Sequence, residues 1–212
     1  MVKPKRPQAS SKGWSGGGGF GGGGNATNLD SLISARESHR AEVDAVLTVY
    51  RDVNNQYGIV PTDSLVGDMG GQPAMAYYDS ADNLVVNRSY FDNAKMETAY
   101  ADCVKTGFHP SAGTKSAMEA VIAHEVGHTL TERAAGGFGN IDRFSNDLVK
   151  AAAKATNDVG AATFARKISG YAGHNAAEAI AEAFSDVYCN GKNAHKESHA
   201  IINELNKYLK KT

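Results

Sequence analysis

The chain has 212 residues, and its 22 lysines and arginines nearly balance 23 aspartates and glutamates, leaving a formal charge of −1. That balance argues against a dedicated nucleic-acid binder, which needs a basic surface, and no stretch of about 18 apolar residues is present to span a membrane. Cys103 and Cys189 are too few for a disulfide scaffold or a structural zinc knuckle, so the sequence reads as a cytoplasmic protein with reduced thiols.

In chain order, residues 1–27 are basic and then glycine-rich, with Lys3, Lys5, Arg6 and Lys12 ahead of glycines 16–19 and 21–24. Such a segment has little apolar surface to bury and high chain entropy, so it is expected to be a disordered tether. No apolar h-region follows its basic start, which is unlike a secretory signal; release by another route or association with a phage particle stays open. Residues 28–212 suit one domain. Leu32, Val43, Val46, Leu47, Tyr50, Val53 and Tyr57 predict a helix over 29–57, closed by Gly58. Residues 75–78 and 84–87 predict a hairpin, and a mixed segment follows to Thr114. Further helices are predicted over 116–133, 141–157, 161–168, 175–190 and 194–209, with Gly136, Gly137 and Gly139 in a loop. The expected fold class is α+β, with a small, mostly antiparallel sheet packed with helices.

Within the predicted helix over 116–133, His124, Glu125, Val126, Gly127 and His128 form an HExxH run. Residues four apart share a helix face, so both imidazoles can meet one Zn²⁺ while Glu125 reaches the water beside it. Ala117, Met118, Val121, Ile122, Val126 and Leu130 recur at helical spacing, and Ser116 with Glu119 predicts a capping box. Two histidines on an amphipathic helix can also be mere core residues, so a third ligand must decide. The metzincin pattern HExxHxxGxxH is excluded, because Thr131 and Ala134 stand at its glycine and third histidine.

Residues 175–190 carry Glu178, Glu182 and Asp186 at successive i, i+4 steps among Ala179, Ile180, Ala183, Phe184 and Val187. Three carboxylates on so apolar a helix need compensating donors or a cation. Two assignments are open. Glu178 is the third ligand with Glu182 behind a histidine, or Glu178 only completes a cap with Asn175 while Glu182 binds metal and Asp186 supports it.

Together with HEVGH, the pattern of Tyr171, Glu178 seven residues later and Ala181-Glu182-Ala183-Phe184 resembles zincin metallopeptidases of the gluzincin type, typified by the anthrax lethal factor catalytic domain and the clostridial Pro-Pro endopeptidases. The resemblance covers residues 116–131 and 168–188, and Ala179 and Ile180 depart from aromatic positions in those relatives. It implies a zincin-like fold, zinc held by His124, His128 and Glu178, Glu125 as general base, and Glu182 orienting a ligand histidine. Tyr171 is implied to support the tetrahedral intermediate or to assist as an acid. The implied activity is that of a zinc metalloprotease (EC 3.4.24 type) hydrolysing peptide or protein substrates. A monomer with no nucleic-acid or membrane partner is expected, in keeping with the charge balance and the lack of an apolar span. The rival is a non-catalytic zincin scaffold, for example in a phage or mobile-element particle; the intact Glu125 argues against it. The 75–78/84–87 hairpin is the candidate platform for an extended substrate. Among the other histidines, His195 and His199 look like a solvated face, His109 looks incidental, and His174 could line the cleft.

Overall fold

Ser116 opens the helix around which the domain is built: its hydroxyl accepts the N–H of Glu119, and the Glu119 carboxylate accepts the N–H of Ser116. This reciprocal cap is the one the sequence predicts. The computed structural model describes residues 27–28, 39–59, 63–69, 74–78, 83–158 and 160–209. Their elements are β1 (Thr27–Asn28), α1 (Arg40–Tyr57), β2 (Asp63–Gly67), β3 (Ala76–Tyr78), β4 (Asn83–Asn87), α2 (Asn93–Lys105), α3 (Ala117–Ala135), α4 (Ile141–Ala155), α5 (Ala161–Ala165), α6 (Ala176–Asn190) and α7 (Lys196–Leu209). This is an α+β arrangement, mostly helical with one small sheet.

The sheet order is β1-β2-β4-β3. The outer pairs β1/β2 and β3/β4 are antiparallel, and the central pair β2/β4 is parallel. The predicted hairpin is the β3/β4 pair, with Ala76 opposite Val86 and Tyr78 opposite Leu84; its connection at 79–82 lies outside the described residues. Leu84, Val85 and Val86 are all buried, as expected of a strand covered on both faces. β3 is the outer strand, and it packs against α3.

Helix α3 is buried nearly all round, which places it at the centre of the core rather than on its surface. Its closest partner is α6. The approach is so tight at Gly127 that a Cβ there would lie 2.8 Å from Cα of Ala181, so HEVGH needs glycine at its fourth position for packing. Side chains tie α2 to α3 and α1 to α2: Glu97 of α2 accepts the N–H of Ala117, and Glu42 of α1 accepts the N–H of Asn93 at the start of α2.

Several expectations shift in detail. Within the predicted helix over 29–57, the described part is α1, ending at Gly58 in the left-handed region (φ +65°); residues 29–38 lie outside the described residues. Thr27 pairs with Val66, so the sheet begins one residue inside the N-terminal segment set apart by composition; residues 1–26 are outside the described set. Residues 93–105, read as mixed, form α2, capped by Asp92 through the N–H of Lys95. The predicted 161–168 helix stops at Ala165, and α4 stops at Ala155 ahead of Asn157 with φ +57°. Among the described residues, no helix is long and apolar enough to cross a membrane.

Candidate metal centre

One helical turn on α3 separates His124 from His128, and their rings stand 5.1 Å apart at 80° to one another. Helix α6 brings Glu178 to them. Asn175 caps that helix by accepting the N–H of Glu178, which fixes its first turn, while the Glu178 carboxylate turns to the imidazoles. Glu178 Oε2 lies 3.2 Å from His124 Nε2 and 3.4 Å from His128 Nε2. It is a buried carboxylate oxygen that accepts no hydrogen bond.

These distances can be tested against a metal. Zinc–nitrogen and zinc–oxygen bonds of about 2.0–2.2 Å at tetrahedral angles place ligand atoms roughly 3.3–3.6 Å from one another. Of the two Nε2–Oε2 separations, 3.4 Å falls within that spacing and 3.2 Å just short of it, and all three ligand atoms lie within 4.8 Å of one another. The cluster of His124, His128 and Glu178 can therefore hold a metal ion.

Glu182, one turn further along α6 and almost fully buried, faces the other edge of the His124 ring. Its Oε1 accepts from His124 Nδ1 at 2.8 Å, and its Oε2 accepts from the Ser169 hydroxyl at 2.7 Å. A carboxylate is only an acceptor, so His124 carries a proton on Nδ1, and Nε2, facing Glu178, is the ring atom that can turn its lone pair to a metal once its own proton is displaced. Of the two carboxylate assignments left open by the sequence, the geometry brings Glu178 to Nε2 and Glu182 to Nδ1. Asp186 is not behind either of them. It accepts from Asn190, from the backbone and ring of His195, and from the Ser198 hydroxyl, anchoring the start of α7. His195 is thus held by a carboxylate rather than paired with His199 for a metal.

Glu125 is buried beside its histidines. Burial raises its carboxyl, an effect opposed by His124 and His128 and reinforced by the charge of Glu178. Burial also opposes charge on Glu178, but the two imidazoles outweigh it and hold that carboxyl well below 4.5. For Glu182, burial is likewise overcome by the hydrogen bonds from His109 and His124, and the carboxyl sits at about 2. On His124, burial works against a positive charge, yet Glu178 and Glu182 on its two sides raise it well above 6.5. Without a metal, the two carboxylates therefore favour a proton on His124, and a cation entering the cluster would displace it.

Tyr171 stands over this centre. Its ring stacks on His124 (5.7 Å, 23°) and touches Phe108, His109 and His174. Burial, and then the charges of Glu178 and Glu125, push its phenol up, so the hydroxyl keeps its proton and is a donor. His174 is exposed, its ring 5.6 Å from that of Tyr171.

Two residues were missed from the sequence. His109 is not incidental: its Nδ1 lies 2.9 Å from the same Glu182 Oε1 that holds His124. Ser169 closes the other side of Glu182 while also accepting the N–H of Ala172. Neither lies at a motif spacing; the only signal was that Ser169 stands two residues before Tyr171. A scan of protein-family models finds no match to the chain, and no curated protein or solved structure matches it significantly.

Proposed function

We propose that the chain is a zinc-dependent endopeptidase of the gluzincin type with a zincin-like fold, hydrolysing peptide or protein substrates. The observation that carries this reading is the buried Glu178 Oε2, which accepts no hydrogen bond and sits at ligand spacing from two imidazole Nε2 atoms. The donor set of two imidazoles and one carboxylate suits zinc and leaves a fourth position for water or substrate. Zinc held there would acidify a bound water and polarise the scissile carbonyl.

The chain's own residues supply the rest. Glu125, raised by burial, is a base able to take the water proton and later deliver it to the leaving amine. Tyr171, its ring stacked on His124, keeps its hydroxyl protonated and can donate to the oxygen on which charge develops. Outer strand β3 packs beside α3 and offers a main-chain edge along which an extended peptide can pair.

Metal analysis of the purified protein with cleavage of a mixed peptide library tests the reading. Wild type is expected to hold one zinc and cleave; Glu125→Gln is expected to retain zinc and lose about 10²- to 10⁴-fold in rate. Stoichiometric zinc with no cleavage by wild type would hand the argument to a non-catalytic zincin scaffold.

A further inference from the structure

Glu182 is a buried carboxylate whose terminal torsion is intrinsically soft and roughly two-fold, so its plane is set by its donors. It has three. Ser169 holds Oε2, while Oε1 is shared between His124 Nδ1 at 2.8 Å and His109 Nδ1 at 2.9 Å. With His109 removed, Oε1 keeps only the ligand ring it is meant to orient, and the pair can swing together.

His109 is itself held on both sides. Its ring lies parallel to that of Tyr100 (5.5 Å, 2°), and the Tyr100 hydroxyl donates to Pro110 O at 3.0 Å. Phe108 N–H donates to Cys103 O, the end of α2 thereby fixing the loop. From the other side, Gly170 N–H donates to Gly107 O and Tyr171 N–H donates to Phe108 O. The His109 ring then meets Tyr171 edge-on (5.5 Å, 83°) and His124 edge-on (6.2 Å, 74°). One imidazole thus touches the carboxylate of α6, the ligand ring of α3 and the aromatic ring above the centre.

We infer that His109 is a positioning residue for the metal centre, fixing Glu182 so that Glu182 fixes the His124 ring and bracing Tyr171 over it. The inference rests on the metal reading of the His124, His128 and Glu178 cluster. A plain packing role beside Tyr100 makes the opposite forecast for two substitutions, because His109→Phe keeps a ring and loses the donor, whereas His109→Asn loses the ring and keeps an N–H near the place of Nδ1.

The test uses the full chain, stripped of metal and titrated with Zn²⁺ against a chromophoric chelator, and separately with Co²⁺ to read its visible ligand-field bands. His109→Phe is expected to bind Zn²⁺ about tenfold more weakly, with altered Co²⁺ bands, and His109→Asn to recover most of that loss. In a Glu182→Ala background, which leaves no acceptor for either ring, the His109→Phe effect is expected to vanish, since the route through Glu182 is already cut. If His109→Phe does not fold, His109→Leu takes its place. Wild-type affinity and bands in the Phe or Leu variant, Asn as weak as Phe, or an undiminished effect in Glu182→Ala would each overturn the inference while leaving the metal centre intact. A wild-type chain that binds neither ion would overturn both.

Discussion

Replacing Gly127 with alanine puts a methyl carbon 2.8 Å from Cα of Ala181, 3.3 Å from its carbonyl oxygen and 3.3 Å from Cβ of Phe184. The first of these is backbone and cannot rotate away, so α3 and α6 must part by about 0.6 Å to restore ordinary contact. Metal sites tolerate only about ±0.2 Å in ligand distance, and this movement separates the helix bearing both histidines from the helix bearing Glu178. The global cost is much smaller than the local one. Overpacking of about 1–3 kcal/mol is offset by about 1 kcal/mol gained on replacing a mid-helix glycine. The zinc-free variant should therefore melt no more than about 8 °C below wild type, while its zinc affinity falls at least about tenfold. Circular dichroism melts and chelator competition measure the two effects independently. A Gly127→Ala chain that binds zinc as tightly as wild type would refute the claim that interhelical contact sets the ligand geometry.

Glu178→Ala is expected to remove stoichiometric zinc, whereas Glu182→Gln should weaken binding by about 10- to 100-fold with the ion still bound in excess zinc; the reverse order, read by metal analysis after gel filtration, would exchange their roles. Glu178, Glu182 and His124 together favour the zinc-free fold most between about pH 4.5 and 6.5, while Glu125, raised by burial, tilts that window towards its acid side. Glu178 and Glu182 are depressed in the folded chain, so their contribution is full above 4.5 and is lost as pH falls through their folded values, about 2 for Glu182. His124 is raised, so its contribution is full below 6.5 and is lost as pH rises through its folded value. Denaturant midpoints across pH locate that window, and zinc affinity should instead climb through it as the metal displaces protons. Saturating zinc at about 100 times its dissociation constant adds roughly 2.7 kcal/mol, so chelation should lower the melting temperature by about 5–10 °C; an unchanged melt would mean that the folded chain does not prefer the ion.

What could be read from the sequence is what is local to a helix. The reciprocal cap of Ser116 and Glu119, the Asn175 cap and the i, i+4 placement of His124 with His128 and of Glu178 with Glu182 follow from spacing alone. The helix over 93–105 was hidden because it buries only Met96 and Tyr100, too little to print a period on its sequence. Parallel pairing of β2 with β4 left no mark either, since strand pattern shows which residues are buried and not which strand lies alongside. His109 and Ser169 reach Glu182 from 73 and 13 residues away, a meeting made by tertiary folding rather than by any motif.

Asp186 sets a limit on how far the protein can be trimmed. Its four donors come from Asn190 and from His195 and Ser198, so a fragment ending after α6 would strip away three of them and strand an anion inside the core. Losing the partners of a buried charge costs about 3–5 kcal/mol, a large part of the roughly 5–15 kcal/mol that holds a whole domain folded. Because that aspartate lies one turn beyond Glu182 on the same helix, the last helix is the far end of the scaffold that carries Glu178, and any minimal folded fragment has to include it.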